Sequence, residues 1–102
     1  MIVVQGKAVF HADDMAKVRA AAEPMIAATR AEPGCLLYAY GEDVHAPGVV
    51  HITERWADND VLQAHFATPH MAAFNSTLAQ LRVLSLRVVA YDATGERVIM
   101  GG

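Results

Sequence analysis

The chain has 102 residues, 54% hydrophobic and 19% charged, with a formal net charge of −3 when histidine is neutral, which fits one domain with a single modest core. No run of Lys or Arg offers the clustered positive charge that a phosphate backbone requires, and no apolar run approaches the ~20 residues that span a bilayer, so nucleic acid and membrane are excluded as partners. Cys35 is the lone cysteine and "MIVVQGKAVFHADD" has neither a basic start nor an unbroken apolar stretch, so the expectation is a cytoplasmic domain without disulfides.

"MIVVQGKAVF" is short and β-branched and reads as a first strand over residues 2–10. In "DDMAKVRAAAEPMIAATRAE" the period changes: Met15, Val18, Ala22, Met25, Ile26 and Thr29 recur at three- and four-residue steps, which places them on one helical face. Asp13 or Asp14 can cap this helix, Pro24 should kink it, and "EPG" at residues 32–34 should end it. "CLLYAYGED" and "VVHITERW" form a hairpin around the turn "VHAPG". Asp58 can cap a short helix over residues 59–66. Thr68 followed by Pro69 is a stronger start signal, for a helix over residues 69–81. "VLSLRVVAYDA" is a fourth strand, and residues 93–102 form an extension with a short extra strand expected over Arg97 to Met100.

This order, β-α-β-β-α-β, is the ferredoxin-like split-βαβ arrangement of the α+β class: a four-stranded antiparallel sheet with its helices on one face. "CLLYAY", "VVHI" and "LRVVAY" place large apolar residues at adjacent positions, as strands buried on both faces do. The helices cover only one face, and a second copy of the sheet would cover the other. A homodimer joined through the open sheet face is therefore expected. Gln5, Lys7, Thr53, Arg55 and Arg87 are the residues that would keep that face wet in a monomer.

"ERWADNDVLQAHFATPHMAAF" holds the only tryptophan, Trp56, and two of the five histidines. His70, Phe74, Leu78 and Leu81 share a helical stripe, and Val61, Leu62, His65 and Phe66 form the apolar face of the short helix. Both imidazoles should point toward the sheet near the helix break. A buried neutral histidine is also an ordinary core residue, so inward orientation alone assigns no chemistry. As metal ligands His65 and His70 look poorly supplied, with Glu54 as the acid to join them and no cysteine motif, and no metal is expected. Cys35 and Ser76 lie in no nucleophile signature, and no phosphate-binding glycine loop is present.

"ATRAEPGCLLYAY", "GVVHITERWADNDVLQAHFATPHMAAF" and "VVAYD" resemble the antibiotic biosynthesis monooxygenase domain family, including its quinol monooxygenase branch, over residues 2–92. The resemblance implies a ferredoxin-like domain whose sheets form a barrel in a homodimer. It also implies a monooxygenase that needs neither flavin nor metal and oxidises a small aromatic hydroquinone or anthrone-like substrate with oxygen. Ground-state oxygen is a triplet, so the substrate must first be deprotonated to an electron-rich anion, and a base in a dry pocket is the minimum equipment. His65 and His70 are the base candidates that the resemblance offers. Trp56 is placed to stack on or donate to the substrate, Phe66, Met71 and Phe74 to form walls, and Tyr38 or Tyr91 to make polar contacts. Gln5 stands where haem-degrading relatives use a strand asparagine, and its longer side chain argues against haem. Two alternatives remain open: a non-catalytic dimeric module whose interior is filled, and a cofactor-free isomerase or haem-handling relative.

Overall fold

A computed structural model describing residues 1–102 contains β1 (Ile2–Phe10), α1 (Met15–Arg30), β2 (Cys35–Glu42), β3 (Val49–Trp56), α2 (Asn59–Phe66), α3 (Pro69–Leu78) and β4 (Val83–Asp92). The strands form one antiparallel sheet in the order β2-β3-β1-β4, so the first and third strands are central, as the ferredoxin-like reading requires. Alternation decides the facing. Ile2, Val4, Ala8 and Phe10 of β1 and Val50, Ile52, Glu54 and Trp56 of β3 are buried toward the helices, while Gln5, Lys7, His51 and Thr53 are exposed on the outer side. Burial on both faces, expected from the strand composition, is not found within one chain. The outer face carries Gln5, Lys7, His51, Thr53 and Arg87 around a shallow depression.

The helix-side core joins Met25, Leu62 and Phe74 to Tyr38 and Trp56, and a second cluster packs Met15 and Val18 against Phe10, Val50 and Ile52. Pro24 does not divide α1, which is continuous from Met15 to Arg30. Asp14 stands at the N-cap position of α1 but makes no capping bond; its carboxylate accepts from the Arg82 backbone N–H at 2.9 Å and from the guanidinium at 2.9 Å. This pair ties the approach to β4 to the start of α1. The Arg82 side chain and backbone together hold the Asp14 carboxyl well below the usual carboxylate range. Asp58 does cap α2, accepting from Val61 N–H at 3.0 Å, and Thr68 caps α3 ahead of Pro69.

Gly48 closes the β2–β3 turn with φ +87°, and a Cβ there would lie 2.3 Å from the Phe10 carbonyl oxygen; the turn packs directly on the end of β1. The expected extra strand at Arg97 to Met100 does not form. Those residues are irregular, and Val98, Ile99 and Met100 are exposed. Arg55 holds the start of the extension through Glu96 at 3.0 Å.

β4 departs most from the expected burial. Leu86 and Val88 pair with Ala8 and Gly6 and so project on the helix side, yet they are 58% and 48% exposed. The helices stop short of this edge strand, and the space left over it opens into the interior. No helix is long and apolar enough to cross a membrane.

Candidate active site

His65 lies in the last turn of α2 and His70 in the first turn of α3. On one straight helix, residues five apart point about 140° away from each other. The break removes that divergence: Thr68 donates its backbone N–H and its hydroxyl to the His65 carbonyl, at 3.2 and 2.8 Å, and starts α3 in a new direction. Both rings then reach one carboxylate. His65 Nδ1 lies 2.7 Å and His70 Nε2 2.8 Å from Glu32 Oε2.

Glu32 follows the end of α1 in "EPG". Gly34, at φ +80°, packs against Val61 so closely that a Cβ would come within 2.8 Å of it, and the Gly34 carbonyl accepts from Ala57 N–H at 2.9 Å. The turn is thereby pinned beside α2, with the carboxylate over the helix break. A carboxylate oxygen only accepts, so these contacts assign a proton to Nδ1 of His65 and to Nε2 of His70. Nε2 of a neutral His65 is left as a lone-pair acceptor, since the ring's hydrogen bond to Glu32 is made through Nδ1. Glu32, His65 and His70 also present three potential metal-ligand atoms within 4.8 Å of one another, a set that spacing along the chain alone had made look poor.

His65 is 1% exposed and lines a cavity of about 560 Å³ between the helices and the sheet. That volume falls within the range of small-molecule sites, about 300–1,000 Å³. Phe10, Ile52, Phe66, Met71, Phe74 and Leu78 supply most of its walls, and Val83, Leu86 and Val88 of β4 form its open side. Polar groups are few: His65, Glu54, the Tyr38 and Tyr40 hydroxyls 3.2 Å apart, and Asn75. Burial pushes both tyrosine hydroxyls up, so they are neutral at pH 7.

Burial also raises the pKa of Glu54, against the opposing hydrogen bond from Trp56 Nε1 at 2.9 Å and the charge of a protonated His65. The folded chain therefore keeps Glu54 protonated to higher pH than the unfolded chain does, and ionising it costs stability as pH rises above the ordinary carboxylate range. Glu54→Gln, which can still accept from Trp56, is expected to match the wild type at about pH 4 and to exceed it in stability at about pH 8, read as urea midpoints at the two values.

The structure divides the residues singled out from the sequence. His65, Tyr38, Phe66, Met71 and Phe74 line the cavity. His70 does not; its ring is 22% exposed and turned to Glu32. Trp56 is fully buried behind His65, with ring centroids 4.7 Å apart, and has no face open to a ligand, so the expected stacking role gives way to support of His65 and Glu54. Gln5 lies on the opposite face of the sheet and Tyr91 is exposed on β4; neither lines the cavity. Glu32 was missed as a functional residue, and Glu54 entered only as an acid weighed beside the two histidines. Glu54 was accessible through its alternation with Ile52 and Trp56. Glu32 was accessible only through hairpin register, since pairing Cys35 with Trp56 brings the residues before β2 beside those after β3.

The family model described as antibiotic biosynthesis monooxygenase matches residues 1–77. The chain belongs to this family. A protein of Deinococcus radiodurans, named as a candidate antibiotic biosynthesis monooxygenase, is 35% identical and superposes with a TM-score of 0.91, covering 99% of this chain and 100% of that one. Rv0793 of Mycobacterium tuberculosis is 25% identical with a TM-score of 0.84 over 95% of this chain and 98% of its own. A Synechocystis sp. protein described as uncharacterized is 32% identical over 73 residues, 72% of this chain and 50% of that protein, so the chain spans about half the length of this curated relative. Within this antibiotic biosynthesis monooxygenase domain, β4 and the open side of the cavity lie beyond the residues that the family model matches, while the likeness to the Deinococcus structure includes them.

Proposed function

We propose that the chain is a cofactor-independent monooxygenase that oxidises a small aromatic hydroquinone or anthrone-like substrate with molecular oxygen, with His65 as the base. One observation carries the reading: His65 has Nδ1 held by Glu32 and Nε2 free, on the wall of a mostly apolar cavity. Nε2 takes the proton of a phenol or acidic C–H, and the anion, held against mostly apolar walls, is electron-rich enough to reduce oxygen by one electron. Oxygen is itself apolar and partitions into such a space. Recombination forms a carbon–oxygen bond, and cleavage of the O–O bond leaves one oxygen atom in the product and releases the other as water. The neutral hydroxyls of Tyr38 and Tyr40 are the donors within the cavity for the oxygen atoms that gain charge.

A module with a filled interior would have no space beside His65, which favours an enzyme over the non-catalytic alternative. Glu54 and His65, both on the wall of the cavity, would also serve a proton-shuttling isomerase. The discriminating experiment is oxygen uptake by chelator-treated protein with a panel of hydroquinones and anthrones under isotope-labelled dioxygen. Uptake with one labelled atom in the product is expected. Saturable binding without uptake across the panel would overturn the oxygenase reading and leave a ligand-binding module or an isomerase. The proposal includes a homodimer through the outer sheet face and a cytoplasmic setting, supported respectively by the uncovered sheet and by the single free cysteine. Light scattering at micromolar concentration should give twice the mass of one chain.

A further inference from the structure

We infer that Glu32, His65 and His70 form a binding site for a divalent transition-metal ion of the zinc type, and that the ion, when bound, switches off the base in the cavity. Two imidazoles and one carboxylate are the donor set that zinc, cobalt and nickel prefer over magnesium or calcium, and three protein ligands leave a position for water. The donor atoms are His65 Nδ1, His70 Nε2 and Glu32 Oε2, all within 4.8 Å of one another.

The contacts to Oε2 measure 2.7 and 2.8 Å, hydrogen-bond lengths. Around a tetrahedral zinc with bonds near 2.0–2.2 Å, ligand atoms stand about 3.4 Å apart, so each ring must withdraw by about 0.6 Å. His70, on the first turn of α3 and 22% exposed, has that freedom, and with the 12%-exposed Glu32 side chain it opens the site to solvent at the helix break rather than through the cavity.

Coordination and base function exclude each other on proton grounds. A neutral His65 carries its proton on Nδ1, toward Glu32. To bind metal there, Nδ1 must present its lone pair, so the proton moves to Nε2 and faces the cavity. His70 likewise moves its proton from Nε2 to Nδ1. No proton is gained or lost overall, yet the one nitrogen able to accept from a substrate becomes a donor. The blocking effect rests on the base role proposed for His65; the metal site does not.

The test uses the full chain stripped of metal and titrated with cobalt(II), whose visible ligand-field bands report coordination directly. One equivalent should bind with such bands, be displaced by zinc, and be lost in both His70→Ala and Glu32→Gln. His51→Ala, which removes the exposed His51–Asp43 pair on the outer face, should leave the bands unchanged. Because His70 is partly exposed, His70→Ala decides if Glu32→Gln does not fold. Absence of bands, or bands that survive His70→Ala, overturns the site. In the second arm zinc should abolish oxygen uptake and a chelator should restore it. Binding without inhibition overturns the switch. A chain inactive without metal but still binding cobalt would sink the oxygenase reading and leave the site standing.

Discussion

Replacing His65 with alanine is expected to lower hydroquinone-dependent oxygen uptake by ~10²–10⁴-fold, the usual contribution of a positioned general base. The loss should fall on kcat, because the apolar walls that bind substrate belong mainly to other elements: Phe10 and Ile52 in the sheet, Phe74 and Leu78 on α3. His65 is almost fully buried, so alanine also opens a void. His65→Gln, closer in volume, keeps the test sound if the alanine variant unfolds, and far-UV circular dichroism reports which case holds. Glu32→Gln separates positioning from chemistry. A glutamine amide that donates to Nδ1 would force the proton onto Nε2, the wrong tautomer, whereas one that accepts would hold the ring without the charge. Activity should fall with a changed pH profile while KM moves little.

Trp56→Ala is expected to have the largest effect on stability, about 3–5 kcal/mol, as for other fully buried aromatic truncations. Against a total of about 5–15 kcal/mol for a natural domain, that is a large share of the stability. Three contacts converge on the indole: the His65 ring at 4.7 Å, the Tyr38 ring at 6.3 Å, and the Glu54 carboxylate through Nε1 at 2.9 Å. Trp56→Phe keeps most of the packing but strips Glu54 Oε1 of its donor, which costs about 1–3 kcal/mol for a buried acceptor. Both variants remove the sole tryptophan, so urea unfolding has to be followed by circular dichroism rather than by indole fluorescence.

Much of this architecture is legible in the residues. Period-two alternation in β1 and β3 and the three- and four-residue steps in α1 give the element order, and Thr68–Pro69 marks a real helix boundary because a capping hydroxyl and a donorless N1 residue fit nowhere else so well. The inward placement of His65 follows from its neighbours Val61 and Leu62. What escaped depends on distance along the chain. Glu32 lies 33 residues from His65, and inside "EPG" it looks like punctuation after a helix; only strand register turns that punctuation into a ligand for two rings. Asp14 was read as a cap for the same reason, since its true partner, Arg82, is 68 residues away. Adjacent apolar residues in β4 suggested burial on both sides, but hydropathy cannot tell a strand packed in a sandwich from an edge strand bordering an open cavity.

The cavity is built from two ends with different tenants. Titratable side chains gather where β2 and β3 meet α2, whereas the rim contributed by the end of α3 and by β4 is aliphatic apart from Asn75: Leu78, Ala79, Val83, Leu86, Val88. Under the proposed function, selectivity and reactivity would be carried by separate stretches of the chain. Widening or narrowing the rim would then retune which ring system enters without disturbing the imidazole and its carboxylate anchor, so that one scaffold could be redirected from compound to compound by exchanging a handful of hydrocarbon groups.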